Sequence, residues 1–345
     1  MENPNDALVT FCMSTYKRPE FLRKQLLSIL KQTFPYFKII VSDNDEEAGG
    51  EMIVKEINDP RITYQCNGVN IGMVKSFNRS LSKATTEYVV MITDDDPLYP
   101  EMLETLIELQ KRHRGFGVYS GCGDWIIASD FAGETLKEKQ GTHKTILNKI
   151  DDNAEFEVKG EDFIPMYTTG IFKDTFLLWS TCIVERNVAI AIGGMPDYGS
   201  ELLTDHAFIM AACSVKGMAY INRSLGGQSV RGDNFGYNFE ALRSKFVNTP
   251  LLFHDYLKSR VGHFNNWGKL DSYIWNFTGR MWVEYSLMIY NTTKSDQKAK
   301  KEFLKYFRKA FSQPKMGIWK YKFYLKARSR PLFNILLGVK NIFKK

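Results

Sequence analysis

The chain has 345 residues, of which 44% are apolar, and it can therefore bury a sizeable core. Its apolar and charged fractions are those of an ordinary globular protein, which excludes a chain that is disordered throughout. The five cysteines have no paired spacing, which argues against a disulfide framework or a zinc site and is typical of a reducing cytoplasm. No apolar run approaches the roughly 20 residues that cross a bilayer, and the polar N-terminus does not resemble a secretory signal. We therefore expect a cytoplasmic protein that can also lie peripherally at the inner face of the plasma membrane.

The net charge of +7 is unevenly distributed. Residues 294–345 carry 16 Lys and Arg against two acidic residues, whereas the remaining 293 residues carry 30 basic and 37 acidic side chains. The tail is strongly basic and the body is acidic. This asymmetry indicates an anionic partner for the tail rather than for the body.

The first hundred residues alternate strand-like and helix-like segments. Short apolar runs predict strands at 8–13, 37–42, 62–65 and 88–93, and stripes of helical period predict helices at 19–32, 51–57, 74–84 and 100–111. This alternation is typical of an α/β fold with a mostly parallel sheet flanked by helices. Residues 115–176 are harder to assign, and the chain is predicted to be mainly helical from about residue 239.

Polar loops follow three of the predicted strands and begin at Ser14, Asp43 and Asp94. Ligands of parallel α/β sheets bind at the carboxyl ends of the strands, so these loops are expected to converge on one binding edge. Asp94 begins a run of three aspartates whose charges repel one another unless they are solvated or neutralised by a cation. An exposed acidic turn is the alternative, but the position at the binding edge favours Mg²⁺ or Mn²⁺, which usually also coordinate substrate phosphates.

Four motifs follow one another in the first hundred residues, at 10–19, 39–44, 70–72 with 78–79, and 93–100. Together they resemble the inverting family 2 glycosyltransferases, which have the A-type nucleotide-sugar (GT-A) fold. The resemblance covers roughly residues 9–236. It implies a catalytic nucleotide-sugar-binding domain over residues 1–236. Residues 237–345 would form a mainly helical C-terminal region that is basic and aromatic from about residue 298.

The resemblance implies a donor-binding role for residues in three of these motifs. Thr15 and Tyr16 would hold the base and ribose of the nucleotide. Asp43 would accept a hydrogen bond from the ring N–H of uracil or thymine, although an aspartate here can also simply cap a turn or a helix. Asn70 and Asn78 would shape the loop and helix beneath the nucleotide.

The metal site implied by the resemblance lies in the aspartate triplet. Asp95 would bind Mn²⁺ or Mg²⁺ directly, and Asp94 or Asp96 would assist through the ribose or a water.

Lys75 would reach the nucleotide, and an exposed helical cation is the alternative interpretation of this residue.

Two further segments complete the implied site. The general base of the family is a carboxylate at a helix start after a Gly-Gly turn, which matches Asp205; Glu201 is the alternative. Many members also carry an Arg-x-His segment that closes over the diphosphate. Here Arg231 would pair with the phosphates, and Asp233 would replace the missing histidine as a metal ligand.

The resemblance implies an enzyme that moves a sugar from a nucleoside-diphosphate donor to a hydroxyl of a glycan or lipid-linked glycan. Asp43 favours a UDP-sugar, with dTDP- and GDP-sugars as alternatives. A metal-dependent nucleotidyltransferase would need a glycine-rich phosphate loop that residues 14–19 lack. A non-catalytic nucleic-acid-binding protein is disfavoured by the acidic body, so we expect no nucleic acid partner. The basic, aromatic tail is expected to meet an anionic membrane, to pack its aromatic residues onto the body, or to do both.

Overall fold

The computed structural model of the protein describes residues 7–129, 139–147, 150–175, 177–231, 243, 245–293 and 296–328. Its strands are β1 (Val9–Thr15), β2 (Phe37–Asp43), β3 (Ile62–Cys66), β4 (Tyr88–Thr93), β5 (Val118–Ile127), β6 (Gly141–His143), β7 (Glu155–Val158), β8 (Cys182–Glu185) and β9 (Met218–Val230). Its α-helices are α1 (Pro19–Leu30), α2 (Gly49–Ile57), α3 (Met73–Lys83), α4 (Met102–Arg112), α5 (Gly160–Thr168), α6 (Arg186–Ala191), α7 (Thr204–Lys216), α8 (Thr249–Val261), α9 (Trp267–Thr293), α10 (Gln297–Ala310) and α11 (Gly317–Arg328).

The described strands form one sheet in the order β3-β2-β1-β4-β8-β5-β9-β7, and β6 pairs with β5. The first four strands in this order are parallel, and β8 runs antiparallel to both β4 and β5. Two reversals restore the direction, so β5 and its parallel neighbour β9 point the same way as β1. The expected α/β fold is confirmed, with a sheet that is parallel in its first part and mixed beyond. The carboxyl ends of β1, β2, β4, β5 and β9 share one edge.

Helices cover both faces of the sheet because successive side chains of a strand point to opposite sides. In β1, Phe11 and Met13 belong to the core cluster that includes Leu26 of α1, whereas Cys12 belongs to the cluster that includes Phe77 of α3. Each core lies between the sheet and one layer of helices. In sheets covered by helices on both faces, ligands bind at the carboxyl edge.

The C-terminal helices pack on the α3 face of the sheet. Phe253 of α8, Trp282 of α9, Phe303 of α10 and Phe323 of α11 belong to the same core cluster as Cys12 of β1. The mainly helical C-terminal region is confirmed, and it shares its core with the sheet. The predicted domain boundary at residue 236 lies outside the described residues and stays a prediction. None of the described helices is both long and apolar enough to cross a membrane.

Candidate active site

The loops after β1, β2 and β4 meet at the carboxyl edge, as their order in the sheet predicts. Thr15 at the end of β1 is in register with Asp43 of β2. Its hydroxyl donates a hydrogen bond to Oδ2 of Asp94 at 2.7 Å, and its carbonyl accepts one from the N–H of Asn44 at 3.0 Å. Thr15 therefore joins all three loops.

The backbone of the acidic loop is held by polar side chains of α1 and of the turn that follows it. The amide of Gln25 donates to the carbonyl of Asp96 at 2.8 Å, and the amide of Gln32 donates to the carbonyl of Tyr99 at 2.8 Å. Both glutamines are buried, and buried amides need such partners. These bonds fix the direction in which the three aspartates leave β4.

Strand β9 holds the same loop from the other side. The N–H of Gly227 donates to the carbonyl of Pro97 at 2.9 Å, and the N–H of Tyr99 donates to the carbonyl of Leu225 at 3.0 Å. A Cβ on Gly226 would lie 2.8 Å from the Pro97 oxygen, so this close approach requires glycine. The position of the aspartates therefore depends on a strand more than 120 residues further along the chain.

Two arginines bind the first two aspartates of the run. Arg18 donates to Oδ1 of Asp94 at 2.9 Å and to Oδ2 of Asp95 at 2.7 Å. Arg231, directly after β9, donates to the same Oδ2 of Asp95 at 3.0 Å. Both guanidinium carbons lie 4.5 Å from the centre of the Phe21 ring, a distance at which cation–π attraction operates. The site thus holds two cations beside its carboxylates.

The three aspartates differ in how the fold shifts their pKa values. Burial, followed by the neighbouring charge of Asp95, raises the pKa of Asp94 to about 6 and that of Asp96 to about 8. Burial also acts to raise the pKa of Asp95, but the charges and hydrogen bonds of Arg18 and Arg231 outweigh it and hold that pKa below its ordinary value. Asp95 is therefore the carboxylate best kept ionised.

The predicted metal ligands are of the chemical type that binds a divalent cation, but the described residues do not assemble them into a cluster of three. Carboxylate oxygens are the ligands that Mg²⁺ and Mn²⁺ prefer. Asp95 is 11% exposed, whereas Asp96 is 4% exposed. Asp233 lies outside the described residues. Among the residues that the structure describes, no three His, Cys, Asp or Glu side chains form a group that could hold a metal ion.

Asp43 and Tyr16, the predicted contacts of the nucleotide base, differ in accessibility. The Tyr16 side chain is exposed at the site edge. Asp43 is only 1% exposed, and its carboxylate accepts hydrogen bonds from Tyr64 at 2.8 Å and from the N–H groups of Asp45 and Gly50. Those bonds hold the β2–α2 loop and leave about one acceptor position for a ligand. The base-binding role of Asp43 stays a prediction.

Three other predicted donor residues lie on or before α3. Asn70 accepts a hydrogen bond from the N–H of Gly72 at 2.9 Å and so forms the turn before the helix. Lys75 is exposed. Asn78 instead pairs with the backbone of Met195, donating to its carbonyl at 2.9 Å and accepting from its N–H at 2.7 Å. The amide of Asn78 therefore binds the chain after the Gly193-Gly194 turn, and a nucleotide contact for it stays untested.

The predicted general base lies in the first turn of α7. Because α7 precedes β9, whose amino end lies at the opposite edge, the start of α7 faces the carboxyl edge. Asp205 accepts from the N–H of His206 at 2.8 Å, and His206 shares a 2.7 Å hydrogen bond with the hydroxyl of Tyr167. Burial, and then the charge of Asp205, raises the pKa values of Tyr167 and Tyr198. The alternative base, Glu201, has both carboxylate oxygens on Lys245.

Comparison with known proteins identifies the region that carries most of this site. The sequence model of Glycosyl transferase family 2 matches residues 10–162. This domain belongs to glycosyl transferase family 2. The predicted family is thereby confirmed for the part of the chain that contributes β1 to β7, including the aspartate run.

Two bacterial relatives of this family 2 domain come from Escherichia coli. The chain is 30% identical over 105 residues to the putative colanic acid biosynthesis glycosyl transferase WcaA, covering 30% of this chain and 38% of WcaA. It is 22% identical over 186 residues to the UDP-Glc:alpha-D-GlcNAc-diphosphoundecaprenol beta-1,3-glucosyltransferase WfgD, covering 54% of this chain and 73% of WfgD. The matched region thus spans only about two-fifths of the first relative.

Solved glycosyltransferase structures share the fold over most of the chain. TarS residues 1–349 of S. aureus, in complex with UDP, align with a TM-score of 0.51 at 14% identity over 92% of this chain and 91% of that one. The mannosyltransferase PcManGT from Pyrobaculum calidifontis, in complex with GDP-Man and Mn²⁺, aligns with a TM-score of 0.50 at 12% identity, over 95% and 89%. At these identities the likeness establishes the fold alone, and the GT-A fold is confirmed.

The structure also brings in residues that the sequence does not single out. Arg18 lies inside the first motif, but its contact is with aspartates 76 and 77 positions away. Phe21 reads as one member of the apolar stripe of α1. The only local signal for both is the run from Tyr16 to Phe21, which joins a strand end to a helix start.

Proposed function

We propose that the protein is an inverting glycosyltransferase that moves a sugar from a UDP-sugar to a hydroxyl of a lipid-linked glycan. The observation that carries this proposal is the aspartate run of a family 2 domain, held at the carboxyl edge of a GT-A sheet beside two arginines. UDP is the nucleotide bound by TarS. WfgD is named for a UDP-glucose donor and a diphosphoundecaprenol-linked acceptor.

In this proposal the arginines bind the donor diphosphate, and the aspartates would bind a metal ion beside it. Arg231 and Arg18 donate to phosphate oxygens and stabilise the charge that grows on the leaving group. Asp95, with Asp94 or Asp96 and with Asp233, would hold Mn²⁺ or Mg²⁺. When bound, such an ion supplies further positive charge to the diphosphate.

The acceptor is activated by Asp205. Its carboxylate takes the proton of the attacking hydroxyl, which approaches the anomeric carbon from the face opposite the diphosphate, and the configuration inverts. Glu201 is less suited to this role because Lys245 neutralises both of its oxygens. We propose that the enzyme works in the cytoplasm at the inner face of the plasma membrane, where a lipid-linked acceptor would be reached.

The donor site is tested by titrating UDP into the protein by calorimetry, with and without Mn²⁺. The wild type is expected to bind UDP more tightly with Mn²⁺, and Asp95→Asn is expected to lose that gain. Asp152→Asn, which removes a carboxylate from an exposed position, is the matched control and should behave as wild type. If UDP, dTDP and GDP all fail to bind the wild type under both conditions, the proposal is wrong.

The chemical step is tested separately on Asp205→Asn and Glu201→Gln. Loss of a general base lowers kcat by about 10²–10⁴-fold, so Asp205→Asn should do so while its UDP affinity stays that of the wild type. Glu201→Gln should retain most activity. The reverse ranking would assign the base to Glu201, and retained anomeric configuration in the product, read by NMR, would exclude the inverting mechanism.

A further inference from the structure

The outward face of α11 carries three large apolar side chains that the fold leaves in solvent. Ile318 is 69% exposed, Tyr321 is 68% exposed and Leu325 is 36% exposed. Single exposed apolar residues are common on protein surfaces and need no explanation. Three along one helix indicate a contact surface. We infer that this face, formed by Ile318, Tyr321 and Leu325, docks on an anionic lipid membrane.

The three side chains share one narrow strip of the helix. At about 100° per residue, they fall within an arc of about 60°. Phe323 and Trp319, which are 1% and 8% exposed, lie on the opposite side and pack into the core. The inner face of α11 therefore already supplies the packing that holds the helix. Ile318 and Tyr321 of the outer strip are mostly exposed and contribute little to that packing, so folding does not require their apolar character.

The charge around the strip selects the kind of partner. Residues 296–328 carry eleven Lys and Arg against two acidic residues, Asp296 and Glu302. Asp296 caps α10 by accepting from the N–H groups of Lys298 and Ala299, and Glu302 pairs with Arg243 at 2.9 Å. Lys326 of α11 pairs with Glu284 of α9, and the balance of charge over α10 and α11 stays positive. Apolar side chains among cations match the interface of a membrane that contains anionic lipids.

The same charge argues against a second copy of this face as the occupant. Two such faces in contact would bring like charges together, which is unfavourable. An anionic lipid surface attracts the cations near it and admits the apolar side chains below the headgroups. Lys322 follows Tyr321 directly and is exposed, so it can meet headgroups while the strip is inserted.

This inference deepens the proposed function, because a lipid-linked acceptor would be presented at the membrane surface. It does not depend on the donor chemistry. Membrane binding is measured without turnover, so its failure can be told apart from failure of the glycosyltransferase proposal.

The test is sedimentation of the full chain with vesicles of phosphatidylcholine alone and of phosphatidylcholine with phosphatidylglycerol. Binding is expected only with the anionic lipid and should weaken with salt. The double variant Ile318→Ser, Leu325→Ser should bind at least about tenfold more weakly, and Lys322→Glu should also weaken binding. Met52→Ser, Val215→Ser is the matched control, since it removes exposed apolar side chains from other helices. The control should bind as wild type.

Three results would overturn the inference. The first is equal binding to neutral and anionic vesicles that the double variant leaves unchanged, and the second is no binding to either kind of vesicle. The third is a change from dimer to monomer in the double variant, measured by light scattering, with vesicle binding unaltered. Circular dichroism of each variant shows whether the fold is kept, as the exposure of the replaced side chains predicts.

Discussion

Replacing Asn78 by alanine removes the amide that joins α3 to the chain after the Gly193-Gly194 turn. That amide makes two hydrogen bonds with the backbone of Met195, at 2.9 and 2.7 Å. A Cβ on Gly194, whose φ is +73°, would lie 2.2 Å from the Asn78 oxygen, so the turn and the amide fit each other closely. Asn78→Ala therefore separates a structural role from a nucleotide-binding role.

The expected cost follows from the two bonds. A net intramolecular hydrogen bond contributes about 0.5–1.5 kcal/mol, and a buried group left without a partner costs about 1–3 kcal/mol. Met195 is fully buried, so its N–H and C=O lose their partners unless water enters. We expect Asn78→Ala to lower the free energy of unfolding by about 2–4 kcal/mol. UDP affinity of the folded protein should be unchanged.

Urea-induced unfolding followed by circular dichroism measures the first quantity, and calorimetry with UDP measures the second. Ser82→Ala, on the same helix, is the matched control: Ser82 is exposed and its hydroxyl bonds only to the carbonyl of Arg79 among the contacts seen. It should change stability by less than about 0.5 kcal/mol. If Asn78→Ala abolishes UDP binding and leaves the unfolding free energy intact, the structural reasoning is refuted.

Two further predictions concern charged side chains. Arg231→Gln should weaken UDP-sugar binding by about 10–100-fold, the effect of losing one charge-assisted hydrogen bond. The same variant should tighten Mn²⁺ binding without nucleotide, because Asp95 loses one of its two cations. Looser Mn²⁺ binding, measured by calorimetry, would contradict this. Hydrogen bonds to Glu157 and Glu155 raise the pKa of His113, so their stabilisation is complete below the ordinary histidine pKa of about 6.5 and is lost as pH rises through the higher folded value. Urea unfolding at pH 6 and pH 8 should show that stability falls more in the wild type than in His113→Gln, by less than about 1 kcal/mol; an equal fall in both would refute the assignment.

Much of the first half of the fold could be predicted from the sequence because its strands are short, apolar and bounded by polar loops. The predicted runs at 37–42 and 88–93 correspond to β2 (Phe37–Asp43) and β4 (Tyr88–Thr93). The later strands could not be predicted in the same way. In β5, Gly123 faces the side chain of Leu178, which a Cβ would overlap, so its place is set by a distant loop rather than by local pattern.

The candidate site also contains some features that local sequence patterns predict and others that depend on distant packing. Convergence of Thr15 and Asp94 follows from the parallel direction of their strands, which the alternation of strands and helices predicts. The ion pair of Arg231 with Asp95 joins residues 136 positions apart, and the pairing of Asn78 with Met195 joins residues 117 apart. Such pairings depend on how β9 and the Gly-Gly turn pack, which no local periodicity records. The sequence therefore predicts where the site lies, and only the structure shows what supports it.

The attachment of the acidic loop to β9 has a consequence for the nascent chain during translation. Pro97 and Tyr99 find their partners only when Gly227 and Leu225 have been added, about 130 residues later. At roughly 5–20 residues per second, that interval is on the order of 10 s. Until then the backbone around the aspartates lacks half of its support. A fragment that stops at residue 162, where the family match ends, would never form the hydrogen bonds of Pro97 and Tyr99 with β9.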